Sequence, residues 1–300
     1  MTPVASLWTN WFFTATAPLA WAYAVRWLSP VALTFCCALL GFAYFLPWII
    51  RNGALRGLFS RRLMFPLFVM GFFGGAVPVA LLCFALKYTT AANAAIIAQV
   101  EVVYSLILSR LLLHEKFTPV KFAGAALVIT GTLMIAFRER FTPRWTGDCL
   151  VLIAPVFYQL SHVAAKRLPK EIRPEFIAAA RGLYASIALL PVVAVAAALG
   201  PLAVNPPAAV LPVVVWAGLI VNGLGNLFWY RAIRGMELSR ATVIILSYPV
   251  LTFILSAALG MERAHLYQAG GLACALAGAY LATRHSEPVP SSPRQEAVSV

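Results

Sequence analysis

Ten runs of mainly apolar residues, each about 20 long, divide this chain of 300 residues, and only short connections separate them. A helix needs roughly 20 such residues to cross the hydrocarbon core of a bilayer. The runs are 7–25, 31–50, 64–86, 91–113, 119–137, 147–165, 175–199, 210–230, 240–260 and 266–283. Lipid offers the backbone no hydrogen bonds, so a chain patterned this way is confined to a helical bundle. Composition agrees, with 62% hydrophobic and 11% charged residues and a mean hydropathy of +0.85. Soluble domains carry about 45–50% and about 25% of these two classes. The expected fold class is an all-α polytopic membrane protein with ten transmembrane helices.

The net charge of +13 is scattered between apolar runs and forms no basic stripe, which argues against nucleic acid as a partner. Loops on the N-terminal side of the membrane, with the tail, hold 15 Lys and Arg, and the opposite loops hold 6. Cytoplasmic loops are enriched in basic residues, so both termini are expected in the cytoplasm. The first run has no basic stretch before it and reads as a mature span rather than a cleaved leader. Residues 285–300 are rich in Pro and Ser and are expected to be a disordered cytoplasmic tail.

The five cysteines form no Cys-x-x-Cys and no Cys/His spacing, so neither a metal site nor a disulfide framework is expected. Asp148 is the only aspartate, which excludes a paired-aspartate protease. There is no His-Glu-x-x-His and no Walker A sequence. The chain therefore reads as neither an enzyme nor a nucleotide-driven pump, and no cofactor is expected.

The two parts of the chain resemble each other. Glu115 and Glu262 lie 147 residues apart, and the same offset pairs Ala85 with Ala232, Ala94 with Ala241 and Val103 with Val250. It also pairs Ile107-Leu108-Ser109 with Ile254-Leu255-Ser256, Gly124 with Gly271 and Gly131 with Gly278. The expected units are a first repeat over 1–138 and a second over 139–284. Each holds five spans. Five is odd, so the second repeat enters the membrane from the opposite side, giving an inverted 5+5 repeat. In each half a long span leads through a Glu and a short loop to a Gly-containing span. With the stretches Trp229-Tyr230-Arg231-Ala232-Ile233, Ser239-Arg240-Ala241-Thr242 and Tyr248-Pro249, this resembles two tandem EamA-type domains of the drug/metabolite transporter superfamily. The resemblance implies a secondary transporter working by alternating access, exporting amino acids or similar small amphipathic metabolites. Multidrug or cationic-drug efflux and a non-transporting scaffold are the alternatives. The implied partners are a small-molecule substrate and the lipid bilayer, with protons as a coupling ion and a monomer or weak homodimer as the assembly. The implied location is a bacterial inner membrane.

The candidate site begins with Glu101, expected near the middle of its span. A charged side chain there is unfavourable by about 2.5–3.5 kcal/mol on insertion scales, so it should face protein or water. Ala94, Ala98 and Ser105 share its face, a small-residue stripe that lets helices approach. Two readings stand open: a proton-coupling or counter-charge site, and a structural carboxyl joining helices. Tyr104 lies one turn away, and Tyr248 is the counterpart of Glu101 in the second half. Asn222, Asn226, Trp229 and Tyr230 fall at i, i+4, i+7 and i+8, one face of a helix. Tyr158, Gln159 and His162 follow Pro155, and Trp21 follows Pro18 as Tyr158 follows Pro155. Gln99 is a weaker candidate on another face. Arg110 and Arg181 are expected to snorkel to the headgroups from span ends. Glu115 and Glu262 suit helix caps. The paired glycines suit a close-packing seam. Trp8, Trp27, Trp48 and Trp145 suit interfacial anchors.

Overall fold

The computed structural model describes residues 1–85, 88–89, 97, 99–116, 118–136, 144–203, 205–260 and 266–284. Among these residues all regular structure is helical, apart from one isolated bridge between Leu28 and Ala203. In chain order the helices are α1 (Pro3–Ala24), α2 (Pro30–Arg51), α3 (Leu55–Leu58), α4 (Arg61–Gly71) and α5 (Val77–Ala85). They continue with α6 (Val100–Leu113), α7 (Pro119–Ala136), α8 (Trp145–Arg167), α9 (Pro174–Leu199) and α10 (Val210–Val215). The last four are α11 (Asn226–Gly235), α12 (Leu238–Ile245), α13 (Pro249–Ala258) and α14 (Leu266–Arg284). A π-helical stretch, Phe72–Ala76, joins α4 to α5, and a second, Trp216–Gly225, joins α10 to α11.

Helix starts follow local chemistry. Thr2 and Ser29 accept the N–H groups of Ala5 and Ala32, each at 3.2 Å, and a proline with preset φ opens α1 and α2. Five helical stretches are long and apolar enough to cross a membrane: Pro30–Arg51, Trp145–Arg167, Pro174–Leu199, Val210–Gly235 and Leu238–Ala258. Pro119–Met134 and Ala269–Ala282 are shorter apolar helices. The chain is thus an all-helical polytopic membrane protein. Calls on Ala94, Ala98, Glu262 and the tail 285–300 lie outside the described residues.

Packing pairs the two parts of the chain crosswise. α2 lies on α9, and α7 lies on α14. α1 packs on α11 and the second π stretch, while α8 packs on α4, α5 and the first π stretch. The α7·α14 seam is built on the repeated glycines. A Cβ at Gly131 would stand 2.5 Å from Gly271 O and 2.4 Å from Ala275 N, and one at Gly278 would stand 2.6 Å from Gly124 O. Gly124 meets Gly278 and Gly131 meets Gly271, so the two helices run antiparallel.

Helix breaks also recur at the repeat offset. Gln99 is a turn residue ahead of α6, and Leu246, 147 positions on, opens the three-residue turn between α12 and α13. In that turn Ser247 and Tyr248 bond back to Ile244 and Ile245 in tight i−3 fashion, and Pro249 has no N–H to continue the ladder. Glu101, expected near the middle of the run 91–113, stands in the first turn of α6, just after the turn at Gln99. A carboxylate is favoured there by the positive end of the helix dipole.

Glu115 ties three elements together at one end of the bundle. Its carboxylate accepts the backbone N–H of Leu238 at 2.6 Å and of Ser239 at 3.1 Å, and the Ser239 hydroxyl at 2.6 Å. Lys166 Nζ lies 3.3 Å away. The side chain therefore caps α12, a helix 123 positions further along the chain, rather than the helix next in sequence. Beside it Lys121 pairs with Glu237 at 2.8 Å, and Lys166 also donates to Met236 O at 2.7 Å. Burial alone would raise the Glu115 carboxyl, but Lys166, the Ser239 hydroxyl and two backbone N–H groups outweigh it and hold the group below the usual carboxylate range.

Two stability changes follow, both readable as thermal midpoints of the purified protein. Gly131→Ala and Gly278→Ala force backbones apart and should destabilise by about 1–3 kcal/mol. Gly270→Ala, whose Cβ would meet only Met134 Cε at 3.5 Å, should leave the midpoint unchanged. Glu115→Gln strips Lys166 of its buried carboxylate partner and should destabilise by about 3 kcal/mol at neutral pH. Because the folded-state value of Glu115 is depressed, its contribution is complete at neutral pH. It disappears as pH falls below the ordinary carboxylate range, so wild type and Glu115→Gln should converge in acid. A gap that stays constant well below that range would contradict the assignment.

Candidate functional site

A cavity of about 110 Å³ lies where the two parts of the chain meet. The first part supplies Trp21 from α1, Thr34, Cys37, Ala38 and Gly41 from α2, and Gly74 and Gly75 from the first π stretch. The second supplies Tyr158 from α8, Arg181, Gly182 and Ala185 from α9, and Asn222 and Asn226 around the second π stretch. Both π stretches thus form wall. A π turn widens the helix and redirects its carbonyls, which is why such turns gather at functional positions. Glycine is required in this wall: a Cβ at Gly74 would stand 2.4 Å from Ser161 Oγ and 3.1 Å from Arg181 Nε. At Gly41 a Cβ would stand 3.3 Å from the Asn222 backbone.

Four of the residues named from sequence, Trp21, Tyr158, Asn222 and Asn226, share this cavity. Asn222 donates its side-chain amide to Ala217 O at 2.9 Å, and Asn226 donates to Asn222 O at 2.6 Å. The indole Nε1 of Trp21 is buried without a partner.

A second polar cluster flanks the cavity on the α8 side. Gln159, fully buried, donates Nε2 to Glu101 Oε1 at 2.9 Å, and its own Oε1 has no partner. Tyr248 stands within the field of the Glu101 carboxylate. The His162 ring meets the Trp229 ring at 4.8 Å between centroids, tilted by 57°. His162 Nδ1, Trp229 Nε1 and the Tyr230 hydroxyl are buried without partners. Gln99, the weaker candidate, is also buried, with Oε1 unpartnered. Tyr104 is half-buried and takes no part in the cavity wall. Neither does Glu101, whose carboxylate is engaged from α8.

Arg181 is the residue that sequence reasoning misplaced. It does not snorkel to the membrane surface. Its guanidinium turns into the wall, where one Nη donates to Gly74 O at 2.6 Å and Nε has no partner. Its charge reaches both His162 and Tyr230. Two signals pointed inward. Arg181 lies seven residues past Pro174, about 10 Å along the helix axis. Its immediate neighbours, Ala180 and Gly182, are small. Arg110, by contrast, is exposed as expected.

A membrane bundle whose two parts pack crosswise around a solute-sized, polar-lined cavity has the build of a transporter. The chain belongs to the EamA-like transporter family, whose model matches it twice in tandem, over residues 4–137 and 145–284. It is 25% identical over 265 residues to an "uncharacterized transporter" of Archaeoglobus fulgidus, covering 87% of this chain and 91% of that protein. It is 26% identical over 200 residues, 66% of each protein, to a "probable terminal-alkyne amino-acid exporter" of Streptantibioticus cattleyicolor. A solved crystal structure superposes on 94% of this chain and 96% of its own with a TM-score of 0.80 and 20% identity, which speaks for the fold.

Proposed function

We propose that this transporter exports a small amphipathic metabolite, an amino acid or a close analogue, by alternating access around the cavity between its halves. The observation that carries the reading is the wall itself, drawn from both repeats and from both π stretches. A site shared between two repeats can be opened to either face by rocking one repeat against the other. The proposed frame is ten spans, both termini cytoplasmic, with repeats over 1–138 and 139–284. The antiparallel glycine seam and the matched helix breaks support an inverted second repeat. The bias of Lys and Arg supports the orientation.

A volume of about 110 Å³ favours small metabolites over drugs. Drug-sized ligands occupy pockets of roughly 300–1,000 Å³. The named function of the amino-acid exporter relative points the same way. Glu101 is the proposed proton carrier. It is the ionisable group beside the cavity that has a single hydrogen-bond donor on it, and Tyr248 is at hand. The remaining polar residues, Trp21, Tyr158, Asn222 and Asn226, orient the substrate.

Proteoliposomes holding the full chain test this. Uptake of labelled amino acids and drugs is followed with and without a pH gradient, for wild type and Glu101→Gln. The expected result is gradient-stimulated movement of one or more small amino acids, with stimulation reduced at least tenfold in Glu101→Gln. Wild-type protein inert towards the whole panel would overturn the transport reading for these substrates. A variant as responsive as wild type would remove Glu101 from coupling.

A further inference from the structure

We infer that the cavity is a carboxylate receptor, with the Arg181 guanidinium as its anion-binding centre. This rests on the reading of the cavity as the substrate site and names what that substrate must carry.

The charge inventory of the wall leads there. Among the described residues the lining holds one cation, Arg181, and no Asp or Glu. Glu101, held from α8, lies outside the lining and already receives Gln159. A wall of this sign repels an ammonium group and attracts an anion.

The hydrogen-bond inventory agrees. A guanidinium has five N–H donors. Here one Nη is taken by Gly74 O, and Nε has no partner although it is buried. The Trp21 indole, a donor only, is likewise buried without an acceptor. Each side-chain amide nitrogen carries two N–H donors, and Asn222 and Asn226 each direct one to their own helix backbone. The wall therefore offers donors in excess. What would complete it is an acceptor with several lone pairs, and a carboxylate has about four such sites.

The fork of an arginine suits that acceptor more than a point charge would, because two parallel N–H groups meet two carboxylate oxygens. The first π stretch holds the fork in place. Its Gly74 carbonyl takes one Nη, and the missing Cβ leaves room for Nε and for Ser161. Besides Thr34 and Tyr158, the rest of the wall, from Cys37, Ala38, Gly41, Gly182 and Ala185, is small and apolar. A cavity of about 110 Å³ is well below the roughly 300–1,000 Å³ of pockets that take drug-sized ligands. The ligand class is thus a short carboxylate with a compact apolar remainder.

Binding to the purified full-length protein in lipid nanodiscs, measured by calorimetry, separates this from its competitors. Two matched sets serve as probes: propionate, alanine, alaninamide and ethylamine, and 3-methylbutanoate, valine, valinamide and isobutylamine. At least one carboxylate should bind, at least tenfold tighter than its matched amide and amine. Arg181→Gln should bring carboxylate and amide within threefold of each other. Arg181→Lys keeps a charge but not the fork, and should reduce the preference by at least threefold without abolishing it. Amides or amines binding as tightly as carboxylates would overturn the inference. So would binding of no carboxylate in either set, or a preference untouched in both variants. If Arg181→Gln does not fold, an unchanged preference in Arg181→Lys overturns it alone. Transport of amines with no carboxylate binding would sink this inference and leave alternating access standing, whereas absence of all transport would sink the parent reading.

Discussion

In a bilayer, every backbone group and every charge must find its partner inside the protein. Regular helix satisfies that demand locally, and the outer parts of this molecule are regular helix. Departures from regularity sit where another part of the chain can satisfy what the helix releases. The π stretch at Phe72–Ala76 turns the Gly74 carbonyl to Arg181 of α9. The turn at Leu246–Tyr248 leaves the Ser247 hydroxyl to accept the Trp11 indole of α1 at 2.9 Å. Glu115 supplies the N–H partners that α12 lacks at its start. Satisfaction is therefore mutual between the two repeats.

The same mutuality appears in packing. Without a strong hydrophobic force between helices in lipid, close backbone approach and hydrogen bonds carry association. The α7·α14 seam does this with glycines set against small neighbours such as Ala275 and Ala282, at distances several of which a Cβ would not allow. The α2·α9 seam does it with Gly182 against Ala38 O and Phe42 N, where a Cβ would stand 3.0 and 2.8 Å away. In both, a helix of one repeat lies on a helix of the other. The cavity opens beside α2·α9, close to this tight contact, where a small shift of either helix changes its wall.

Much of this was legible in the sequence. Five of the apolar runs form helices long and apolar enough to span, because length and hydropathy suffice to specify such a helix. The glycine pairs announced the seam, because small residues seven apart share one face. Asn222, Asn226, Trp21 and Tyr158 converge on one cavity, and the i, i+4 spacing of polar groups in apolar helices foretold that they face protein. What sequence could not give was the partner across the bundle. Glu115 looks like a cap for the next helix, since local bonds are the default. It caps α12 instead, because the chain returns there. Arg181 looks like a snorkelling residue near a span end, because depth alone does not reveal whether a carbonyl waits inside. The π turn that frees Gly74 O is a tertiary accommodation, and the Gly74-Gly75 pair was its only written trace.

A carboxyl group, Glu101, and a guanidinium, Arg181, stand inside the bundle near the α8 turn that carries Tyr158, Gln159 and His162. Glu101 is held through Gln159, and Arg181 reaches His162 and Tyr230. Each charge is unfavourable in an apolar interior, and a direct pair between them would relieve both. Their hydrogen bonds instead go to Gln159 and to the Gly74 carbonyl, so each keeps part of its bonding capacity. Such an arrangement wastes stability in a static bundle. It suits the proposed exchange of partners, in which an entering anion would neutralise Arg181 and a proton would neutralise Glu101. In the proposed cycle these two events lower the interior charge from opposite signs, and α8, which bonds Glu101 through Gln159 and carries His162 within the field of Arg181, is the element through which one can be sensed by the other.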